Sequence, residues 1–449
     1  MSSLATTISS VYYGTFIHSI SLEEIEFVKD GLLFVDNLGR ITKFLKDVHK
    51  DHLQSKLEGV PENKVFILDE YQFIIPGFVD THIHASQYSY CGNGHDIPLL
   101  EWLNTFTFPH ESKFQDPNYA REVYSKSVAR SLRNGTTSAC WFATVHLEAT
   151  KELVKAIQEQ GQRAYVGKVN MNQNSSEALT ETTDSSVKDT RAFIDYVHAM
   201  NECFAGTESK PLVTPIITPR FAISCTSDLL KELGKLAKEY NVPIQSHLCE
   251  APEEIAFTKQ LFQNSINYTA VYADYGLLNH RTIMAHCVHM EEEEWTLMKQ
   301  ANAGISHCAN SNFNIKSGMA DVRTMLNLGL KVGLGTDFAE CYSPSILDAI
   351  RCSRICSIAR NPEKSLSIPE LFYLATMGGA RVMELGDTIG NFEAGKEFDA
   401  ILVNTAIKGS PLDIFEHDTI QSKFEKYLFV GDDRNNEKLR DARKVVAVR

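Results

Sequence analysis

At 449 residues, with 43% apolar and 22% charged side chains, the chain has material for a large globular core. Its formal net charge of −13 leaves no basic surplus to neutralise phosphates, so neither a nucleic acid nor an anionic membrane is the expected partner. No apolar run approaches the ~18 residues of a membrane span, and no basic patch followed by an apolar stretch marks a secretory signal.

Short β-rich runs come first, at 11–20 and 31–44, the second turning at Asp36-Asn37-Leu38-Gly39 as a hairpin does. From residue 74 to about 391, apolar runs alternate with amphipathic stretches. The expected strands are 76–84, 137–143, 163–170, 211–218, 242–247, 282–287, 303–307 and 331–336. The expected helices include 119–134, 147–160, 186–203, 227–240, 253–275 and 319–328. Strand-then-helix units in this number point to an α/β fold, a (β/α)8 TIM-type barrel, with a doubly wound open sheet as the alternative. After residue 391 the pattern returns to β, with 397–403 the clearest strand. The expected organisation is therefore a barrel at 74–391 and one composite β-sandwich domain made from 1–73 and 392–449. The polar segment 172–188 reads as a solvated surface excursion rather than a lid.

Ten cysteines are scattered without a C-x-x-C pair, which argues against a zinc ribbon or a thioredoxin-like motif and for a reducing, cytoplasmic setting. His146-Leu147-Glu148 matches half of one zinc-deaminase signature, but no P-C-x-x-C follows.

His82 and His84 stand at i and i+2 near the end of the first barrel strand, where both side chains point to one face and can share a metal. Among 15 histidines such a pair arises by chance about half the time, so alone it means little. His247, His286 and Asp337 add weight, because each ends a different expected strand, and barrel active sites are built at that rim. Glu250, three residues after His247, is placed to move protons without binding metal. His286 is placed to hold a water. The plainer readings are a hydrogen-bonded core histidine for His286, a helix cap for Asp337 and the solvated start of a helix for Glu250. His289 and His307 lie near the same rim, and His307 is a structural or supporting candidate. His18, His49, His52, His198 and His417 are expected on the surface.

The strings PGFVDTHIH (76–84), TPRF (218–221), SHLCE (246–250), MAHCVHM (284–290) and GLGTDF (333–338) resemble the guanine deaminases of the amidohydrolase superfamily, over almost the whole chain and in order. The segment GNFEAGK at 390–396, followed by DAILV at 399–403, resembles that superfamily's return to its β domain. The resemblance implies one zinc ion per chain held by His82, His84, His247 and Asp337, with Glu250 as proton shuttle and His286 positioning the water. It implies a pocket for guanine lined by His84, Gln87, Arg220, Phe221, His247, Glu250 and Asp337, hydrolysis to xanthine and ammonia, and a homodimer. The stretch 211–219 has no lysine to bridge two metals, and Lys168 is a weak candidate, so a single metal is expected. Imidazole ligands suit iron as well as zinc. An Arg fork at 220 matches the adjacent O6 and N7 acceptors of guanine, while its plainer role is a structural ion pair. The alternatives are a related amidohydrolase acting on another base or an aminotriazine, and a metal-free barrel serving as a scaffold.

Overall fold

Aromatic and β-branched runs open the chain as strands. In the computed structural model, which describes residues 8–94, 97–204, 211–338, 340–441 and 444–447, these are β1 (Ile8–Ser19), β2 (Ile25–Asp36), β3 (Ile41–Leu45), β4 (Val65–Ile67) and β5 (Gln72–Pro76). The hairpin expected at 36–39 joins β2 to β3. Asp36 Oδ1 closes it by accepting from the N–H groups of Leu38 at 2.9 Å and Arg40 at 2.8 Å.

Parallel strands follow: β6 (Phe78–His84), β7 (Thr136–Phe142), β8 (Arg163–Gly167), β9 (Val169–Asn170), β10 (Val213–Pro215), β11 (Thr218–Pro219), β12 (Ile244–Leu248), β13 (Thr282–His286), β14 (Gly304–His307) and β15 (Lys331–Leu334). Every residue of β6 and β7 is buried, as strands covered on both faces require. β6, β7, β8 and β10 pair in that order, and β12 to β15 do the same. Backbone bonds join the two sets. Ile217 N–H donates to Pro243 O and Gln245 N–H to Ile217 O, both at 2.9 Å. On the other side Asp337 N–H donates to His82 O and His84 N–H to Phe338 O, again at 2.9 Å.

Connecting helices keep their predicted places where caps are strong. Leu147–Gln160 ends at Gly161 in the left-handed region (φ 79°), and Ser227–Tyr240 starts at Thr226, whose hydroxyl accepts from Leu229 N–H. Elsewhere the expectations need correction. The run 211–218 is two short strands rather than one, since Pro215 and Pro219 lack the N–H that a continuous ladder needs. The long helix at 253–275 is two, Pro252–Leu261 and Tyr268–Asp274, because Asn267 caps the second by accepting from Ala270 N–H. Helices Ile346–Arg360 and Ile420–Phe429 went unpredicted, the latter inside the expected β return. Residues 183–188 of the polar segment are the first turns of helix Thr183–Asn201.

Near the end, β16 (Ala400–Asn404) pairs antiparallel with β5, and β17 (Asn436–Asp441) and β18 (Lys444–Ala447) extend the same sheet. Its order is β18-β17-β16-β5-β1-β2-β3 with β4 beside β1, so both ends of the chain meet in one sheet. Arg163 on β8 ties that sheet to the parallel strands, pairing with Glu397 at 2.6 Å and Asp399 at 3.3 Å, all three buried. His18 is a further correction: it is 3% exposed, not on the surface, and bonds Glu26 at 3.1 Å. His49, His52, His198 and His417 are exposed as expected.

Candidate metal centre

The carboxyl ends of β6, β12, β13 and β15 converge. His82 and His84 from β6, His247 from β12, His286 from β13 and Asp337 just past β15 are all buried there. His82 Nε2 lies 3.2 Å and His84 Nε2 3.5 Å from Asp337 Oδ1, and the Nε2 atoms of His84 and His247 are 3.2 Å apart. Two metal-capable groups emerge, His82-His84-His247 and His82-His286-Asp337, in each of which the ligand atoms lie within 4.8 Å of one another.

Tautomers fit this arrangement. His247 Nδ1 is 2.5 Å from the Arg220 carbonyl, to which it donates, so its Nε2 presents a lone pair. His82 Nε2, His286 Nε2 and both Asp337 oxygens are buried without a protein hydrogen-bond partner. Nitrogens held at about 2.0–2.1 Å by one tetrahedral ion would sit about 3.3 Å apart, close to the His84–His247 spacing. The residues present therefore fit a bound cation.

Local backbone strain marks the same rim. Cys249, His286, Cys287 and Asp337 all have φ between 49° and 73°, a region that non-glycine residues seldom enter. Asp337 caps no adjacent helix, since the next begins at Ile346, so the cap reading fails. Asp80 fastens β6 to the β15 end by accepting from Thr336 N–H at 3.0 Å and Thr336 Oγ1 at 2.6 Å. Burial pushes its carboxyl up to about 7 despite these bonds.

Glu250 sits between the ends of β12 and helix Pro252–Leu261. Glu254, not Glu250, makes the helix-start contacts, accepting from Glu250 N–H at 2.8 Å and Ala251 N–H at 3.2 Å. Glu250 is left free to face the cluster, with Oε2 3.5 Å from His286 Nε2. Burial, then Glu340, Glu254 and Asp337, hold its carboxyl well above the usual range. Burial works the same way on Asp337, but His82, His286 and His84 outweigh it and hold Asp337 well below. Burial lowers His286 to about 4. Neighbouring acids driven in opposite directions are the arrangement that proton-transfer chemistry uses.

Several partners of these residues had no sequence signal. Asn312 Oδ1 accepts from His286 Nδ1 at 2.9 Å and fixes its ring. His289 donates to Ser317 O at 2.6 Å, and Ser317 Oγ donates to Glu250 Oε1 at 3.4 Å. Arg220 is buried and pairs with buried Glu111 at 2.7 Å, so the structural ion pair exists. Its guanidinium also stands over Phe108 at 5.7 Å. Arg220, Phe221, His247 and Glu250 line a small cleft beside the cluster with Leu99, Leu103 and Glu340. Trp102 is buried beneath that leucine turn, and no residue of 172–188 lines the cleft among the described residues. Gln87 is buried next to Glu340. His307 is buried with neither ring nitrogen bonded, and a larger pocket reaching it from the Ile346–Arg360 side contains no other histidine. Lys168 pairs with Glu181 at 2.6 Å, and Glu148 of the accidental motif pairs with Lys151 on the surface.

Residues 73–437 match the Amidohydrolase family. The chain belongs to the amidohydrolase family. Among curated members of that family, it is 43% identical to guanine deaminase from Dictyostelium discoideum, over 96% of each chain. It is 42% identical to guanine deaminase from Homo sapiens, over 96% of this chain and 95% of that one. A crystal structure of guanine deaminase from C. acetobutylicum with guanine in its active site superposes with a TM-score of 0.88 at 36% identity, covering 97% of this amidohydrolase and 99% of the other chain.

Proposed function

We propose that this amidohydrolase deaminates guanine hydrolytically, giving xanthine and ammonia. The observation that carries the reading is a buried donor fork, Arg220, in the same cleft as Glu250 and the histidine–aspartate cluster. The guanine deaminase relatives that match end to end support it.

His82, His84, His247 and Asp337 would hold one metal ion, for which zinc is the first choice because three imidazoles and a carboxylate suit it. What a bound ion supplies is acidity: water at a catalytic zinc ionises near pH 7. The protein's own residues do the rest. His286, fixed by Asn312, orients the attacking water toward C2 of the base. Glu250 takes the water's proton and delivers it to the adjacent ring nitrogen. A new C–O bond forms at C2; Glu250 then takes the remaining hydroxyl proton and hands it to the exocyclic amine as the C2–N2 bond breaks, so that C2 becomes a carbonyl and ammonia leaves. Arg220 grips O6 and N7, Phe221 packs against the ring, and Gln87, His84 and His247 complete the walls. Glu111 keeps Arg220 charged and aimed: burial opposes the guanidinium's charge, but Glu111 outweighs it and raises the pKa.

The parallel strands of residues 74–391 form, in this reading, one closed eight-position barrel, supported by the backbone bonds on both sides of the two strand sets. Residues 1–73 and 392–449 form the composite β domain, in keeping with the β5–β16 pairing. A homodimer and a cytoplasmic setting complete the proposal, the latter in keeping with the free cysteines.

Ammonia release from guanine by purified protein, with bound metal counted in parallel, tests the reading. One metal per chain and turnover of guanine in preference to adenine, cytosine and aminotriazines are expected. Turnover confined to one of those other substrates would sink it.

A further inference from the structure

Two acceptor atoms beside the metal-capable cluster have no partner. Gln87 Nε2 donates to Glu340 Oε1 at 3.5 Å, leaving Gln87 Oε1 and Glu340 Oε2 both buried and unbonded to protein. Glu340 is 3% exposed and lines the cleft with Arg220, Phe221 and Glu250. A buried acceptor without a partner is costly to the fold, so this pair awaits a donor. Because Gln87 spends its Nε2 on Glu340, its amide is held with Oε1 free and offers the cleft a second acceptor.

Glu340 shares its cleft with Arg220 and with His247 of the metal-capable cluster; burial and then Asp337 raise its carboxyl while Arg220 opposes them, so it feels both the guanidinium and the cluster. A purine spanning those two points places a carbonyl oxygen on Arg220 and its reacting carbon at the cluster. In guanine the atom between the C6 carbonyl and C2 is N1, which bears a hydrogen.

We infer that Glu340 Oε2 accepts the N1–H of the substrate, so that Arg220 and Glu340 together select a lactam, a ring carbonyl with an adjacent N–H. This rests on the guanine reading and adds to it the rule for which 2-aminopurines enter. A base whose N1 is a bare lone pair meets Glu340 acceptor against acceptor and is turned away.

The test compares kcat/KM of wild type, Glu340→Gln and Glu340→Leu on guanine and on 2-aminopurine. The second substrate keeps the reacting amine but has nothing at C6 and no hydrogen on N1. Bound metal is counted for each variant. An amide at 340 can donate to a bare N1, so Glu340→Gln lowers the guanine-to-2-aminopurine ratio by about tenfold or more. A group that only supports the fold would slow both substrates alike, so an unchanged ratio in folded, metal-loaded Glu340→Gln overturns the inference. Calorimetric binding of hypoxanthine, the lactam without the reacting amine, gives a readout free of turnover. Its affinity falls about tenfold in Glu340→Leu, and undiminished binding overturns the inference as well. If the wild type leaves guanine untouched, the functional reading fails by itself, while hypoxanthine binding still decides the role of Glu340.

Discussion

Glu250 is braced before any substrate arrives: Glu254 accepts from its backbone N–H, Ser317 donates to one carboxyl oxygen, and His286 faces the other. None of these contacts is to a metal ligand of the proposed set, so removing the carboxylate's charge leaves the ligands in place. Glu250→Gln is therefore expected to keep its metal and lose turnover by about 10²–10⁴-fold, the usual weight of a general acid–base. Metal analysis beside ammonia release checks both halves, and a fully active variant would remove Glu250 from the chemistry. At this scale the sequence was most informative where a residue ended a strand. His82, His84, His247, His286 and Asp337 could be found because an apolar run pointed at each. Glu111, Asn312, Ser317 and Glu340 could not, because they come from short helical turns and loops whose course no periodicity encodes. Arg220 meets its structural description, an ion pair with buried Glu111, and in the proposed function that same pair aims it at the base.

Among the elements, β15 lies tight against β6. Gly333 and Gly335 bring its end against β6, and a Cβ on Gly335 would lie 2.3 Å from Ser306 Oγ and 2.9 Å from His82 Cβ. Gly335→Ala is expected to push His82 off its position, so that purified variant carries less metal than wild type while remaining folded by circular dichroism. Full metal occupancy would show that the strand end can yield. Strand and helix types followed from periodicity, but the splitting of 211–218 came from proline's missing N–H and that of 253–275 from one asparagine cap. Helix Ile346–Arg360 escaped because Ile355 and Ile358 stand exposed outside its buried stripe of Ile346, Ala349, Ile350 and Ser353, which blurs the apolar face.

Across the whole molecule, histidines outside the cluster and buried carboxyls within and beside it pull the response to acid in opposite directions. Burial lowers His18, His146 and His307 to about 4, below the ordinary value near 6.5 of an unfolded chain. Between pH 6.5 and 4 the unfolded state binds protons that these native histidines refuse, so their contribution to stability falls as pH drops through that window and is fully present above it, while Asp80 and Glu250, raised by burial, contribute the opposite slope. Relative to its own value at pH 7, the denaturant midpoint of His18→Phe, set among Phe44 and Phe392, should stand higher at pH 4.5 than that of wild type. A slope the substitution leaves untouched would locate acid sensitivity elsewhere. The pairing of β5 with β16 has a different kind of consequence, one of timing. A ribosome delivers β5 more than 300 residues before its partner, so the growing chain must carry an open strand edge while the metal-capable cluster is made. Arg163 waits just as long for Glu397 and Asp399. The sheet is thus locked by a strand made long after its first ones, and a nascent chain stopped short of β16 would be exposed to the quality-control machinery with both its sheet and its central ion pair unfinished.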